Sequence, residues 1–291
     1  MKLHFELLKF WKQNEHLNDT ICTLLPLKLF LCRAKLIQLK KIKIGAVTYL
    51  NTKPLIYGMQ YEDFLKDHEL ILEYPARLAE MLKKGDVDVA LVPVALLPEL
   101  PHYHIVSDYC IASDHEVASV CLFSGKPLAD IKRVYLDYQS KTSVALLKIL
   151  FREHWKQEVE WLEATDEIYI DKIHDDTAGL IIGDRALLLR DRFTYRYDLA
   201  TAWKEMTGLP FVFAVWVSMK EMDERWTQSF NEYNRKGIAN IAEVANTLIN
   251  IYPDVLKYYT HHISYVLTPF HKEGLNQFLS LLPTYSMAKD I

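Results

Sequence analysis

Residues 69–92 constrain the fold more than any other stretch of the chain. Residues 69–74 (ELILEY) form an apolar, strand-like run, and residues 87–92 (VDVALV) form a second one that stops at Pro93. Between them, residues 75–84 read as a helix. Pro75 suits its first turn, where the missing N–H costs nothing, and Gly85 stands just past its end. Leu78, Ala79, Met81 and Leu82 keep helical spacing along it. Strand, helix, strand in this order implies a right-handed crossover and a parallel strand pair. The expected class is therefore α/β.

The same alternation extends in both directions. Residues 41–47 (KIKIGAV) read as a buried strand, and Pro54 suits the start of a following helix. Strands are expected at 118–124, 133–137, 159–162, 178–183 and 211–217, with a helix at 142–151. Turn signals at Gly125-Lys126-Pro127 and at Thr207-Gly208-Leu209-Pro210 punctuate the series. Beyond residue 217 the pattern is helical. Ile238, Ile241, Val244, Ala245, Leu248 and Ile249 make one apolar stripe that Pro253 stops. The organisation suggests two lobes, residues 41–124 with 211–291 and residues 125–210. Strand-like crossings near 119–124 and 211–217 would form the hinge, with a ligand cleft between the lobes.

Composition narrows the function classes. The 291 residues are half hydrophobic and carry a net charge of −4, so a large core is expected and a basic nucleic-acid surface is not. Cys22, Cys32, Cys110 and Cys121 are far apart and suit a reducing, cytoplasmic setting better than a disulfide framework. No C-x-x-C pair, H-E-x-x-H helix or EF-hand loop is present, so no metal site is indicated. His102 and His104 read as surface histidines. Residues 1–40 read as an amphipathic or poorly ordered extension. Lys28 interrupts their apolar run, which is too short for a membrane span, and no small residues mark a cleavage point.

The candidate binding residues lie where strands end and helices begin, the usual ligand position in open α/β sheets. One cluster is Thr48, Tyr49, Asn51 and Thr52, followed by Lys53; another is Ser140, Lys141, Thr142 and Ser143. Unpaired N–H groups and hydroxyls at a helix start suit a carboxylate, though the same residue types cap helices in any protein. Ser119 sits on an expected crossing. Gly183 permits close backbone approach, and Asp184 either faces the cleft or caps the helix after it. Asp137 and Asp184 are the carboxylates nearest a possible base role. Lys53 and Lys141 read as surface lysines, and Trp216 as a core aromatic.

Six segments arrive in one order: IGAVTYLNTKPLIYGM at 44–59, DVALVP at 88–93, SVCLFS at 119–124, LDYQSKTSVALL at 136–147, IGDRAL at 182–187 and TGLPFVFAVW at 207–216. Together they resemble the menaquinone-biosynthesis family of the futalosine pathway, in its chorismate dehydratase branch. The resemblance runs from about residue 41 into the C-terminal helices. It implies a periplasmic-binding-protein type II fold and the conversion of chorismate to 3-[(1-carboxyvinyl)oxy]benzoate and water, with no cofactor. It also tips Thr142, Ser143 and the 48–52 cluster from capping towards substrate binding, with Asn51 positioning the substrate and assisting elimination. The alternatives are the sister 1,4-dihydroxy-6-naphthoate synthase and a non-catalytic solute-binding protein. Chorismate is the one partner expected, with neither nucleic acid nor membrane; oligomeric state is not legible.

Overall fold

A computed structural model describes residues 41–286 of the chain. The expectation for residues 1–40 lies outside the described residues, as do Cys22 and Cys32.

Eleven strands form two separate sheets among these residues. The first six-stranded sheet takes β1 (Ile42–Ala46), β2 (His68–Leu72), β3 (Val89–Pro93) and β4 (His104–Ser113) from the first part of the chain. The second takes the next five: β5 (Val120–Ser124), β6 (Arg133–Leu136), β7 (Glu160–Glu163), β8 (Thr177–Ile182) and β9 (Tyr195–Asp198). The chain then returns to the first sheet with β10 (Phe211–Ser218) and β11 (Ser264–Val266). Strand order is β11-β4-β10-β3-β1-β2 in the first sheet and β7-β6-β8-β5-β9 in the second.

The expected parallel unit is present. β1 pairs parallel with β2 and with β3. The helix Pro75–Lys84 makes the crossover from β2 to β3, burying Leu78, Ala79 and Leu82. Pro75 occupies its first turn, and Gly85 closes it in the left-handed conformation at φ 74°. β6 repeats the arrangement in the second sheet, parallel to β7 and β8. β10 runs antiparallel between β3 and β4, and β5 antiparallel between β8 and β9. The chain is thus a two-lobed α/β protein whose lobes each hold one mixed sheet.

Two expectations about the crossings need correction. The strand Val120–Ser124 was expected in the first lobe; its partners β8 and β9 put it in the second sheet. The crossings are therefore not the strands themselves. They are residues 114–119, between β4 and β5, and the helix Leu199–Thr207, between β9 and β10. Asp198 joins the two. Its carboxylate accepts the Val117 and Ala118 N–H groups at 3.2 and 2.8 Å, and also caps the crossing helix through the Ala200 and Thr201 N–H groups. The apolar stripe at 238–249 also differs: the helix Glu224–Ala239 ends at Asn240, a new one runs Ile241–Asn246, and Ile249 is exposed.

The long helix Glu224–Ala239 fixes the segment that bears Asn51. Gly237 lies against the Pro54 carbonyl, and Gly58 against the Tyr233 carbonyl; a Cβ at either position would overlap backbone. The two glycines let this helix and Lys53–Tyr57 meet backbone to backbone, which sets the depth of the preceding turn.

Candidate functional site

A cleft lies where the two lobes meet; the space between its walls, with the solvent at its open mouth included, is about 600 Å³. The first lobe contributes Val47, Tyr49, Asn51, Pro75, Leu91 and Pro93 to its wall. Ile111, Phe213 and Ala214 complete that side; Val117 and Ser119 line the crossing, and Val120 the start of β5. The second lobe contributes Gln139, Ser140, Thr142, Ser143, Ile182 and Gly183. None of these lining residues is charged. The walls are apolar, and the polar groups are hydroxyls, amides and backbone.

Each polar group is held by the fold. After β1 the chain bends through the 3-10 turn Leu50–Thr52, closed by the Thr52 N–H on the Tyr49 carbonyl at 3.1 Å. That bend puts Asn51 at the cleft and Pro54 in the first turn of Lys53–Tyr57. The Thr52 hydroxyl donates to Asn51 Oδ1 at 3.4 Å. Tyr49 reaches across the cleft, its hydroxyl donating to Gln139 Oε1 at 3.2 Å. Burial, then the Asp137 charge, push the Tyr49 phenol up to about 12, so it remains a donor.

On the opposite wall, Ser140 caps the helix Lys141–Ile149. Its Oγ accepts the Ser143 N–H at 3.1 Å. Thr142 and Ser143 are almost fully buried. Thr142 Oγ1 accepts the Ala95 N–H of the first lobe at 3.1 Å, which leaves the threonine proton available as a donor. At the crossing, the Ser119 carbonyl accepts the Gly183 N–H at 2.7 Å. Gly183 itself adopts φ 64° and ψ −147°, a conformation reserved for glycine, and its face lies under the Tyr49 ring.

Six of the nine expected site residues share this cleft: Tyr49, Asn51, Ser119, Thr142, Ser143 and Gly183. Thr48, Thr52 and Asp184 do not line it. Thr48 is exposed, and the 3-10 turn carries Thr52 into the core. Asp184 accepts the Leu50 N–H at 3.1 Å and so ties the second lobe to the turn holding Asn51. Burial raises its carboxyl above the ordinary range, opposed by that N–H and by Lys53.

Asp137 is likewise committed elsewhere. Its buried carboxylate receives Arg185 Nη2 at 2.7 Å, the Tyr169 hydroxyl at 2.8 Å and the Gln139 N–H at 2.8 Å. Burial raises its pKa against the pull of Arg185. Neither aspartate therefore stands in the cleft as a base. Lys141 pairs with Glu99 at 2.9 Å on the surface. Trp216 is a core residue, its indole N–H donating to Asn234.

The residues missed in the sequence are Gln139, whose partner is 90 positions away, and Tyr258. Tyr258 is fully buried, and its hydroxyl donates to Ser119 Oγ at 2.9 Å. No local pattern marks either one, because both matter only through a contact made by the folded chain.

A profile of the family described as Menaquinone biosynthesis matches residues 42–283. A curated relative, the chorismate dehydratase of Thermus thermophilus, is 30% identical, the match covering 82% of this chain and 94% of the relative. Solved structures of similar fold include protein AF1704 of Archaeoglobus fulgidus, at TM-score 0.69 and 14% identity, covering 86% of this chain and 99% of the other. The Candida albicans CA3427 gene product, described as having the generic periplasmic binding protein fold, is similar at TM-score 0.60 and 12% identity, with 84% and 91% covered. The alkanesulfonate-binding protein SsuA of Xanthomonas axonopodis pv. citri is similar at TM-score 0.58 and 13% identity, with 86% and 93% covered.

Proposed function

Because the chain belongs to the menaquinone-biosynthesis family, we propose that it is a chorismate dehydratase, a hydro-lyase acting in the cytoplasm. Chorismate loses its C4 hydroxyl and its C3 proton, the ring becomes aromatic, and the enolpyruvyl ether is kept. The products are 3-[(1-carboxyvinyl)oxy]benzoate and water.

The observation that carries this reading is the uncharged cleft with donors from both lobes: Asn51, Ser119, Thr142 and Ser143. Chorismate is a dianion with an apolar ring. Hydroxyl and backbone donors at the start of Lys141–Ile149 suit one carboxylate, and apolar walls suit the ring. A hydrogen bond to a charged group contributes about 1.5–3 kcal/mol, so a few per carboxylate hold the dianion without a buried arginine.

Asn51 acts at the reacting edge. A neutral amide donates to the departing hydroxyl without repelling the substrate, as a carboxylate there would. With no protein carboxylate in the lining, the C3 proton passes to a carboxylate of the substrate itself and from there to the departing C4 hydroxyl, which leaves as water. The protein contributes orientation and preorganised donors.

A second reading, a solute-binding protein, is favoured by the likeness in fold to SsuA. It predicts binding without turnover. Mixing purified protein with chorismate and following the aromatic product by ultraviolet absorbance and mass separates the two. The sister naphthoate synthase reading predicts no reaction with chorismate.

A further inference from the structure

Ala118 stands at φ 61° in the crossing between β4 and β5, a left-handed conformation that crowds a Cβ against its own backbone. The other described non-glycine residues at positive φ, Lys156 and Asp175, are exposed, whereas Ala118 is buried next to the cleft residue Ser119. The Ser119 N–H donates to the Val117 carbonyl at 2.7 Å and closes a γ-turn round Ala118, a form that is rare because it is strained. Such a turn persists only where its surroundings hold it.

Asp198 holds it. This residue ends β9, opposite Cys121 of β5. Its Oδ2 accepts the Ala118 N–H at 2.8 Å, and its Oδ1 accepts the Val117 N–H at 3.2 Å. Oδ1 also accepts the Ala200 and Thr201 N–H groups, both at 3.0 Å, as the cap of the crossing helix. The two oxygens thus divide the work: Oδ1 serves the cap, and Oδ2 serves the Ala118 N–H. Only a carboxylate supplies acceptors on both sides. An asparagine in the same pose would still cap the helix but would turn an N–H donor on the Ala118 N–H.

The turn delivers Ser119 to the cleft, where its other polar groups are also engaged. Its carbonyl accepts the Gly183 N–H at 2.7 Å, and its Oγ accepts the Tyr258 hydroxyl at 2.9 Å, so the serine keeps its own proton to donate. We propose that Asp198 is a positioning residue for the dehydration, holding the strained turn that sets the Ser119 hydroxyl as a donor at the cleft. The kinetic consequence rests on the dehydratase reading, and the structural one on geometry alone.

The test is Asp198→Asn, which spares the cap and breaks the bond to Ala118. With chorismate, folded Asp198→Asn lowers kcat/KM by about 10- to 100-fold, the scale of a misplaced group, and Ser119→Ala does the same. In the Ser119→Ala background, Asp198→Asn costs less than about threefold more, since the group it positions is gone. Adding Ala118→Gly to Asp198→Asn recovers at least about fivefold, because glycine holds φ 61° without support. Wild-type kcat/KM in either single variant, an undiminished loss in the Ser119→Ala background, or no recovery with Ala118→Gly overturns the proposal. If Asp198→Asn does not fold, Ala118→Val strains the same turn with a β-branched residue and leaves every Asp198 acceptor in place. A lowered kcat/KM that vanishes in the Ser119→Ala background then supports the proposal, and an unchanged one overturns it. If the wild type does not turn over chorismate, the dehydratase reading fails by itself. The crystal structure of Asp198→Asn, or of Ala118→Val in its place, then decides: Ser119 Oγ displaced from the Tyr258 hydroxyl supports the positioning role, and an unmoved turn overturns it.

Discussion

At the scale of single residues, the cleft works by neutral donors. Asn51 is half-buried and lines the cleft, so removing its amide leaves the core intact while deleting the donor proposed to meet the developing charge. Asn51→Ala is expected to lower kcat by about 10²- to 10³-fold, the usual cost of one such donor, with thermal stability near wild type. Steady-state kinetics beside a melting curve check both halves. The aspartates give a prediction of opposite kind. Burial raises the pKa values of Asp137 and Asp184, so a base role for either would make activity rise with pH through that raised value. Neither lines the cleft, and the Tyr49 phenol keeps its proton to about 12. The kcat profile is therefore expected to be flat from about pH 6 to about pH 9, with no limb that Asp184→Asn removes. A rising limb abolished by that substitution would contradict the account.

At the scale of elements, backbone conformation shapes the walls as much as side chains do. Gly183 ends β8 at φ 64° directly under the Tyr49 ring. Gly183→Ala has ordinary room for its methyl but not the backbone freedom. It is expected to lose about 1–3 kcal/mol of stability and to weaken substrate binding, read by denaturant unfolding and by KM. The same scale shows what the sequence discloses and what it withholds. The crossover helix was legible because Pro75 and Gly85 bracket it and Leu78 and Leu82 mark its buried face. Ser140 to Ser143 was legible as a helix start because capping is local chemistry. β4 was not, because His104 to Asp108 mixes exposed and buried positions with no turn signal inside it. β9 is half-buried throughout, and β11 is three residues long within a helical region, so neither carries a period. That Thr52 and Asp184 lie off the cleft is not legible in the sequence, which gives the strand end but not the rotation of the 3-10 turn after it. Gln139 and Tyr258 were invisible because their partners lie 90 and 139 positions away.

At the scale of the whole molecule, the cleft is bounded by hydrogen bonds that run from one lobe to the other: Tyr49 to Gln139, the Leu50 N–H to Asp184 and the Ala95 N–H to Thr142. Each contributes about 0.5–1.5 kcal/mol, or more where the acceptor is charged, so together they favour a closed, water-poor space round a ligand. Buried Asp198 binds the two crossings and gives them a common pivot. In a chorismate dehydratase, this enclosed set of uncharged donors converts a bound dianion instead of only holding it. Quantitative mass spectrometry of chorismate left with the purified protein distinguishes conversion from holding. Chorismate is expected to be replaced, mole for mole, by the aromatic enol ether lighter by one water. Chorismate retained by the protein yet recovered unaltered would contradict it.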